Sequence, residues 1–316
     1  MDLVEMSKQN TPQKPNKHSI FYIFLSLLSV VRGYNIVIIV IAQYLASIFI
    51  FSPEKSLKDI IFNLDLYLIV LATTCVIAAG YIINNFYDAD KDAVNKPVKS
   101  KIDSIVDQRT KLNIYFLLNI IGVIFAFMVS WRAALFFSVY IFLIWLYSHK
   151  LKKYPLSRLF SASILAILPL FAVFIYYKNF STIVFTHAAF LFLILMIREL
   201  VKDLENIKGD VVQNNLTIPL KYGEYFTKLL ITLLVVFTLD PIYFLWKYPE
   251  IGMMKYYFYF VGIVFLIFLF LLWKAKTKID YLILHNITKL IIVVGVLSLM
   301  LIDTSVIIQR ILNAKI

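Results

Sequence analysis

Two polar segments of the chain carry carboxylate and amide side chains in the same order. Both read Asn/Asp-x-x-Asn/Asp-x-x-x-Asp, with members Asn85, Asp88 and Asp92 in the first segment and Asp203, Asn206 and Asp210 in the second. Mg²⁺ prefers oxygen ligands of this kind and typically takes one or two carboxylates together with water and substrate phosphates. The repeated pattern therefore predicts a site that binds divalent cations and a phosphate-bearing molecule.

The spacing within each segment predicts how these side chains are presented. Positions i, i+3 and i+7 of an α-helix fall within roughly 60° of one another around the axis. We therefore expect each segment to be helical and to line its oxygen-bearing side chains along one stripe. Two such stripes facing each other would repel, and a pair of Mg²⁺ ions with a diphosphate between them would remove that repulsion. The alternative is two solvated helix ends, but matched spacing at matched positions favours a site.

The composition shows which elements must position these segments. Of the 316 residues, 61% are hydrophobic and only 16% are charged, and the mean hydropathy is +0.82. Ordinary soluble domains have about 45–50% apolar and about 25% charged residues, so a soluble globular protein is excluded. The single cysteine, Cys75, excludes an intrachain disulfide and a cysteine-based zinc site.

Apolar runs long enough to cross a bilayer predict an all-α, multi-span membrane bundle of about nine transmembrane helices. The predicted spans are 33–52, 66–86, 112–130, 133–148, 159–177, 181–198, 226–246, 256–273 and 288–309. The apolar stretch 20–31 is too short to count separately, and we interpret it as an interfacial helix or an extension of the first span.

Basic residues predict the orientation of the bundle. Most of the 31 Lys and Arg residues lie in the N-terminal segment and in the loops after spans 2, 4, 6 and 8. Excess positive charge marks the cytoplasmic face, so both polar segments are expected to line a cytoplasm-facing polar cavity in a prokaryotic-type cytoplasmic membrane. The net charge of +12 is then a property of loops facing anionic lipid, and no basic stripe indicates nucleic-acid binding.

The two segments follow spans 2 and 6, which indicates an internal repeat. We predict one membrane domain over 1–316, with a polar tail at 1–19, related halves at about 33–148 and 159–273, and a final helix at 288–309. Because the tail contains acidic residues and has no positively charged start or cleavage site, it is not expected to be a removed signal peptide.

The motifs resemble those of the UbiA superfamily of intramembrane prenyltransferases over nearly the whole chain. The first segment is similar to the family's Asn-Asp-x-x-Asp-x-x-x-Asp, although Asn85 and Asn206 stand where the family usually has Asp. Further matches are Asn95-Lys96-Pro97, Arg32 with Asn35, Tyr147-Ser148, Leu151-Lys152, and Thr217, Pro219 and Gly223. The resemblance implies an enzyme with two aspartate-rich motifs at one active site.

The resemblance also implies roles for individual residues. Mg²⁺ would be held by Asn85, Asp88, Asp92, Asp203, Asn206 and Asp210, of which the four aspartates are the expected catalytic residues. The expected substrate-binding residues are Arg32, Asn35, Asn84, Tyr147, Lys152 and Lys202. The metal would stabilise the departing diphosphate, and Tyr81 or Tyr147 could stabilise an allylic cation through its ring face.

The expected function is Mg²⁺-dependent transfer of a polyprenyl group from a prenyl diphosphate to a lipophilic acceptor within the membrane. The segment Arg198–Asp210 most resembles the branch that prenylates geranylgeranylglyceryl phosphate to make ether lipids. An aromatic quinone precursor or haem precursor is the alternative acceptor. The rival classes are a secondary transporter or cation channel, which also use repeats and intramembrane carboxylates, and a non-catalytic lipid-binding scaffold. The expected partners are the two substrates and membrane lipid.

Overall fold

The computed structural model describes residues 20–53 and 55–302, and within these ranges the chain is helical without strands. The α-helices are α1 (Ile20–Val30), α2 (Gly33–Ala46), α3 (Leu57–Ile61), α4 (Leu64–Tyr87), α5 (Ala89–Asn95), α6 (Pro97–Asp103), α7 (Gln108–Val129), α8 (Trp131–His149), α9 (Pro155–Tyr177), α10 (Thr182–Glu205), α11 (Ile207–Val212), α12 (Ile218–Tyr222), α13 (Glu224–Phe237), α14 (Leu239–Lys247), α15 (Lys255–Lys274) and α16 (Lys278–Ser298). Short π- or 3₁₀-helical segments extend some of them.

The described residues contain nine helical segments long and apolar enough to cross a membrane, which confirms the predicted fold class. The prediction placed two ends wrongly. The last span begins at Lys278 rather than 288, because the Thr277 side chain accepts from the Asp280 N–H and the Asp280 carboxylate caps the same turn. The sixth span continues to Glu205 rather than 198. Residues 303–309 of the predicted last span, like the predicted tail 1–19, lie outside the described residues.

The stretch predicted as interfacial forms α1, a helix of its own. The chain turns sharply at Arg32, whose φ of 51° lies in the left-handed region, and α2 begins at the next residue. Aromatic side chains of α1 such as Phe21 and Phe24 are exposed. The helix is joined to the rest of the bundle by the Ser29 hydroxyl, which donates to Asp103 at 2.6 Å.

The helices that carry the two polar motifs are the most buried of the spans. Within α4 and α10, 72% and 44% of the apolar window is buried, compared with 22–39% in the other spans. Small residues allow close approach in such bundles. A Cβ at Gly122 of α7 would lie 3.0 Å from Val76 on α4, so this contact depends on glycine.

A proline interrupts the backbone hydrogen bonding of α9, the helix that packs next to α2 and α8. Pro169 lies inside α9, and since it has no N–H it cannot satisfy the carbonyl of Leu165 one turn earlier. The Tyr140 hydroxyl donates to that carbonyl at 2.9 Å. The Pro169 carbonyl in turn accepts from the buried Gln43 amide at 2.8 Å. The Tyr140 hydroxyl therefore replaces the backbone hydrogen bond that the proline removes, as membrane burial requires.

Candidate active site

Each polar motif lies where a long spanning helix ends and a short helix begins. The first break is at Asp88, with φ −99° and ψ 12°, and the second is at Asn206, with φ −109° and ψ 15°. Both breaks fall on the second member of the motif, and neither motif forms the single straight helical stripe that the spacing predicted. The short helices α5 and α11 instead turn the last member of each motif to a new direction.

The two short helices pack directly against each other, which brings the motifs together at one end of the bundle. Lys91 of α5 forms an ion pair with Asp210 of α11. The Asn95 amide donates to the Asn206 carbonyl at 3.3 Å. At Gly209 a Cβ would collide with the Asn95 side chain and lie 3.0 Å from the Lys91 Cγ, so the close approach requires glycine there.

Three of the four aspartates predicted to be catalytic are held by cationic side chains. Lys152 donates to Asp88 at 2.6 Å. Arg158 donates to one oxygen of Asp203 through Nη2 at 2.7 Å and Nε at 3.0 Å, and its Nη1 reaches Asp210 at 3.3 Å. Asp203 and Asp210 are almost completely buried, so each needs such a partner. Together with Lys91, these residues form what we call the aspartate cluster.

The charges of this cluster shift the pKa values of the groups that lie beyond the spans. Burial by itself would raise the pKa of Asp88, but the positive charges of Lys152 and Lys91 outweigh it and hold that pKa below its usual range. Burial and the nearby Arg158 charge lower the pKa of Lys91, although Asp210 and Asp88 act in the opposite direction. Asp88 is thus held as a carboxylate.

A cavity of about 560 Å³ opens beside the aspartate cluster and continues between the spans. Its polar end includes nine residues predicted from the sequence: Arg32, Asn35, Asn84, Asp88, Asp92, Tyr147, Lys152, Lys202 and Asn206. Its apolar walls follow α2 and the π-helical segment after it, from Asn35 to Ile50. At 1.5 Å per helical residue this is roughly 20 Å, a large part of the bilayer core.

Three predicted metal ligands do not line the cavity. Asp203 and Asp210 are covered by Arg158 and Lys91. Asn85 lies on a different face of α4, where its amide donates to Asp103 at 3.0 Å and its oxygen accepts from Lys111 at 3.1 Å. The structure therefore places Asn85 in a contact between α4, α6 and α7 and away from the other members of its motif.

The predicted residues on α2 form a small polar group at the cavity edge. The Asn35 amide donates to the Tyr81 hydroxyl at 3.1 Å. The Arg32 guanidinium lies 5.2 Å from the centre of the same ring. The Tyr81 ring thus meets a cationic side chain, and its face can stabilise positive charge. Ser148, beside Tyr147, has a buried hydroxyl without a partner in the described part of the chain, and it lines the cavity.

Sequence reasoning missed several charged residues of the site. Arg158, which neutralises Asp203, and Lys91, which pairs with Asp210, were treated only as part of the general charge pattern. Lys96, Arg198 and Lys289 also line the cavity. A signal was available for Arg158, since it lies in the first turn of an apolar span, where an unpaired charge is costly. Lys91 gave no signal, because lysine is ordinary at a solvated helix end.

The donor atoms of the site fit a divalent cation at its open side. The Asp92 side chain lines the cavity, and its carboxylate has no hydrogen bond or ion pair within the described residues; Asp88 lies one turn before it. The second oxygen of Asp210 is buried and unpartnered in that same part of the chain. No group of three or more His, Cys, Asp or Glu residues is preassembled for a metal among the described residues. Asp88 and Asp92 are therefore the best-placed ligands.

The sequence profile of the UbiA prenyltransferase family matches residues 46–281, about three quarters of the chain. The chain belongs to the UbiA prenyltransferase family. It is therefore an enzyme of the prenyltransferase type and an integral membrane protein that crosses the bilayer several times. The profile begins after α2 has started and ends early in α16, so Arg32, Asn35 and Lys289 lie outside the matched residues.

Relatives of known name are similar to this member of the family. The digeranylgeranylglyceryl phosphate synthase of Methanobrevibacter smithii is 25% identical over 77% of this chain and 84% of its own length. That of Methanospirillum hungatei is 33% identical over 62% of this chain and 68% of its own. That of Thermococcus gammatolerans is 29% identical, but the alignment spans only 57% of its length and 50% of this chain.

Solved structures share the fold. A digeranylgeranylglyceryl phosphate synthase structure has a TM-score of 0.66 at 21% identity, covering 88% of this chain and 97% of the other. A UbiA homologue from Archaeoglobus fulgidus bound to GPP and Mg²⁺ has a TM-score of 0.62 at 15% identity, covering 87% and 99%. That homologue, which shares the fold of this chain, thus binds GPP together with Mg²⁺.

Proposed function

We propose that this prenyltransferase moves a geranylgeranyl group from geranylgeranyl diphosphate to a hydroxyl of geranylgeranylglyceryl phosphate. The observation that carries the proposal is the single cavity that joins the paired motifs to a long apolar channel. A prenyl diphosphate has the same two parts, an anionic head and an apolar tail. The names of the relatives support the choice of acceptor.

Asp88 and Asp92 would hold Mg²⁺ at the open side of the site, with Asn206 as a further oxygen ligand and Asp203 and Asp210 behind them. The metal would supply electrostatic stabilisation to the diphosphate as its bond to the prenyl carbon breaks. Lys152 and the Ser148 hydroxyl line the cavity beside it and are placed to contact the leaving diphosphate. Arg32, Lys202, Asn35 and Asn84 complete the proposed substrate-binding set.

The reaction breaks the bond between the prenyl carbon C1 and the diphosphate oxygen, and diphosphate leaves. A bond from C1 to the acceptor hydroxyl oxygen forms the ether, and the hydroxyl proton is released to diphosphate or water. The allylic carbon carries positive charge as the bond breaks. The ring faces of Tyr81 and Tyr147 line the cavity and would stabilise that charge while the surrounding spans exclude water.

The site is proposed to face the cytoplasm, since the motif end of the bundle also carries most of the basic residues. The related halves at about 33–148 and 159–273 also stay a prediction. The parallel breaks at Asp88 and Asn206 support them.

The test is incubation of the purified protein with radiolabelled geranylgeranyl diphosphate, Mg²⁺ and a panel of acceptors. The panel contains geranylgeranylglyceryl phosphate, 4-hydroxybenzoate, dihydroxynaphthoate and haem. We expect a labelled ether product with the first acceptor and loss of product in EDTA. Product with only an aromatic acceptor or haem would overturn the acceptor assignment. Ion flux into liposomes without prenyl transfer would instead support the transporter class.

A further inference from the structure

The polar end of the cavity contains a second group of charged residues that differs from the aspartate cluster. The aspartate cluster combines Asp88, Asp203 and Asp210 with three cations. The second group, which we call the basic corner, consists of Arg32, Lys96, Arg198, Lys202 and Lys289. These residues come from the start of α2, the α5–α6 junction, α10 and α16.

The basic corner has more positive than negative charge. Arg198 and Lys202 share one carboxylate, Glu199, at 3.0 and 2.8 Å. Within the described residues, Arg32, Lys96 and Lys289 have no ion pair. The other glutamate near the corner is hydrogen-bonded to His285.

That glutamate, Glu205, is buried, and its carboxylate accepts a hydrogen bond from the His285 Nδ1 at 2.6 Å. It therefore does not form an ion pair with Lys96 or Lys289, although both lie within its electrostatic range. In the described part of the chain, the Lys289 ammonium donates a single hydrogen bond, to the Asn286 amide oxygen at the long distance of 3.5 Å. An excess of positive charge thus remains at a half-buried cavity wall.

The cations of the corner line one cavity and lie within electrostatic range of one another. Burial and the positive charge of Arg32 lower the pKa of Lys96 to about 8. Lys289 lies within electrostatic range of Arg198, Arg32 and Lys202. Holding like charges together in a partly desolvated place is unfavourable unless an anion joins them. An anion with several acceptor oxygens would relieve that repulsion through charge-assisted hydrogen bonds.

The two groups suit different anions. The aspartate cluster combines carboxylates with cations, so it can bind a diphosphate through a divalent metal. The five cations of the basic corner outnumber the carboxylates near them, Glu199, Glu205 and Asp92, so the corner suits an anion bound directly by Lys and Arg side chains. A phosphate monoester presents three oxygens and carries up to two negative charges near neutral pH. Asp88, Lys91, Lys152 and Arg158 of the aspartate cluster line the same cavity as the basic corner, so there is space for two anionic substrates together.

We propose that Lys96 and Lys289, with Arg32, bind the phosphate monoester of the acceptor lipid without a metal ion. This inference rests on the proposed function and identifies which part of the cavity selects a phosphate-bearing acceptor. The acceptor hydroxyl is then held near the aspartate cluster, and neutral acceptors gain nothing from the corner. Arg32 and Lys289 lie outside the residues that the family profile matches, whereas Lys96 lies within them.

The first experiment measures binding without turnover. Radiolabelled geranylgeranylglyceryl phosphate is titrated against the protein in EDTA, in parallel with its dephosphorylated alcohol and with inorganic phosphate as a competitor. We expect the phosphorylated lipid to bind at least about tenfold more tightly than the alcohol, and Lys96→Gln and Lys289→Gln to remove that difference. Lys208→Gln is the matched control, because Lys208 is exposed near the same end of the bundle and does not line the cavity.

The second experiment measures kinetics. In Lys289→Gln we expect the KM for the phosphorylated acceptor to rise about tenfold or more, with the KM for the prenyl diphosphate nearly unchanged. Lys289→Arg should restore the acceptor KM, which separates charge from general damage to the fold. A rise in the donor KM with the acceptor KM unchanged would overturn the proposal. Binding of the alcohol, or of inorganic phosphate alone, as tight as that of the phosphorylated lipid would also overturn it.

The two experiments separate this proposal from the proposed function. If no acceptor in the panel is prenylated, the proposed function fails, yet the binding measurement in EDTA still decides whether the corner recognises a phosphate monoester. If prenyl transfer to geranylgeranylglyceryl phosphate occurs and Lys96→Gln and Lys289→Gln leave acceptor binding unchanged, only the assignment of the corner fails.

Discussion

At the scale of single residues, the predicted aspartates are not equivalent. Asp92 lines the cavity and has no ion pair among the described residues, whereas Asp210 is fully buried between Lys91 and Arg158. A free carboxylate at a cavity wall is available to a metal. A carboxylate that neutralises two buried cations also supports the structure, and removing one partner of such a group leaves the other charges uncompensated.

We therefore expect Asp92→Asn and Asp210→Asn to differ in stability. Asp92→Asn should lower prenyl transfer strongly, by about two orders of magnitude or more, with no change in thermal unfolding. Asp210→Asn should lower both prenyl transfer and the unfolding temperature, with about 3–5 kcal/mol lost from the free energy of unfolding. Activity assays and thermal unfolding in detergent check this. Asp90→Asn is the control, since Asp90 is exposed on α5 and does not line the cavity. Equal unfolding temperatures for the two variants would contradict the distinction.

Lys91 places a positive charge against a predicted metal ligand. We expect Lys91→Gln to tighten the binding of Mn²⁺, used as a probe for Mg²⁺, by about tenfold, since one charge a few ångströms away at an effective dielectric of about 20 is worth more than ~1.4 kcal/mol. Electron paramagnetic resonance titration of the purified protein measures the free Mn²⁺. Lys208→Gln should leave the affinity unchanged. Unchanged or weaker Mn²⁺ binding in Lys91→Gln would show that Lys91 does not compete with the metal.

Lys96 predicts a pH dependence of acceptor binding. Its pKa of about 8 arises from burial and Arg32, with Lys202 acting in the same direction and Asp92 and Glu205 against it. As pH rises through about 8, Lys96 loses its proton and the corner loses one positive charge.

The KM for the phosphorylated acceptor should therefore increase between about pH 7 and 9. Steady-state kinetics over this range measure it, and Lys96→Arg, which stays charged, should give a flat profile. The same rise in Lys96→Arg would assign the titration to another group.

At the scale of helices, the break inside each motif decides the geometry of the site. A straight helix would have carried all three motif members along one face. The breaks at Asp88 and Asn206 instead lay α5 and α11 against each other, and Gly209 permits that contact because it has no side chain. The long helices α4 and α10 carry the two motifs to one end of the bundle, and the contact between the short helices α5 and α11 brings the motifs together.

Gly209→Ala tests this contact. The added methyl group would meet Asn95 and Lys91, and overpacking of this kind costs about 1–3 kcal/mol. We expect lower stability and a weaker response of activity to Mg²⁺, because the motifs move apart. Thermal unfolding and the Mg²⁺ concentration for half-maximal activity are the measurements. A variant with wild-type values of both would show that the helices tolerate a wider separation. Gly262→Ala is the matched control, since its Cβ would meet nothing within 4 Å.

At the scale of the whole molecule, the cavity connects the motif end of the bundle to the hydrocarbon layer. Basic residues predict that this end faces the cytoplasm. With Cys75→Ala as background, a cysteine at Lys208 should react with a membrane-impermeant maleimide only in inside-out vesicles. A cysteine at Lys247, at the other end of α13 and α14, should react only in right-side-out vesicles. The reverse labelling pattern would show that the site faces the outer side of the membrane.

The sequence by itself determined the membrane class, the number of spans among the described residues and the positions of the two motifs. These follow from hydrophobic length and side-chain chemistry, which are local properties of the chain. The motifs in the sequence also identified residues on α2, α4 and α8 that line the cavity in the structure.

The tertiary structure alone decided which charges meet. Asn85 belongs to the first motif by spacing, yet it faces Asp103 and Lys111, because the orientation of a side chain depends on how neighbouring helices pack. Arg158 and Asp203 are 45 positions apart and form one ion pair. Contacts between residues so distant along the chain arise only when the helices assemble, so no local pattern in the sequence records them.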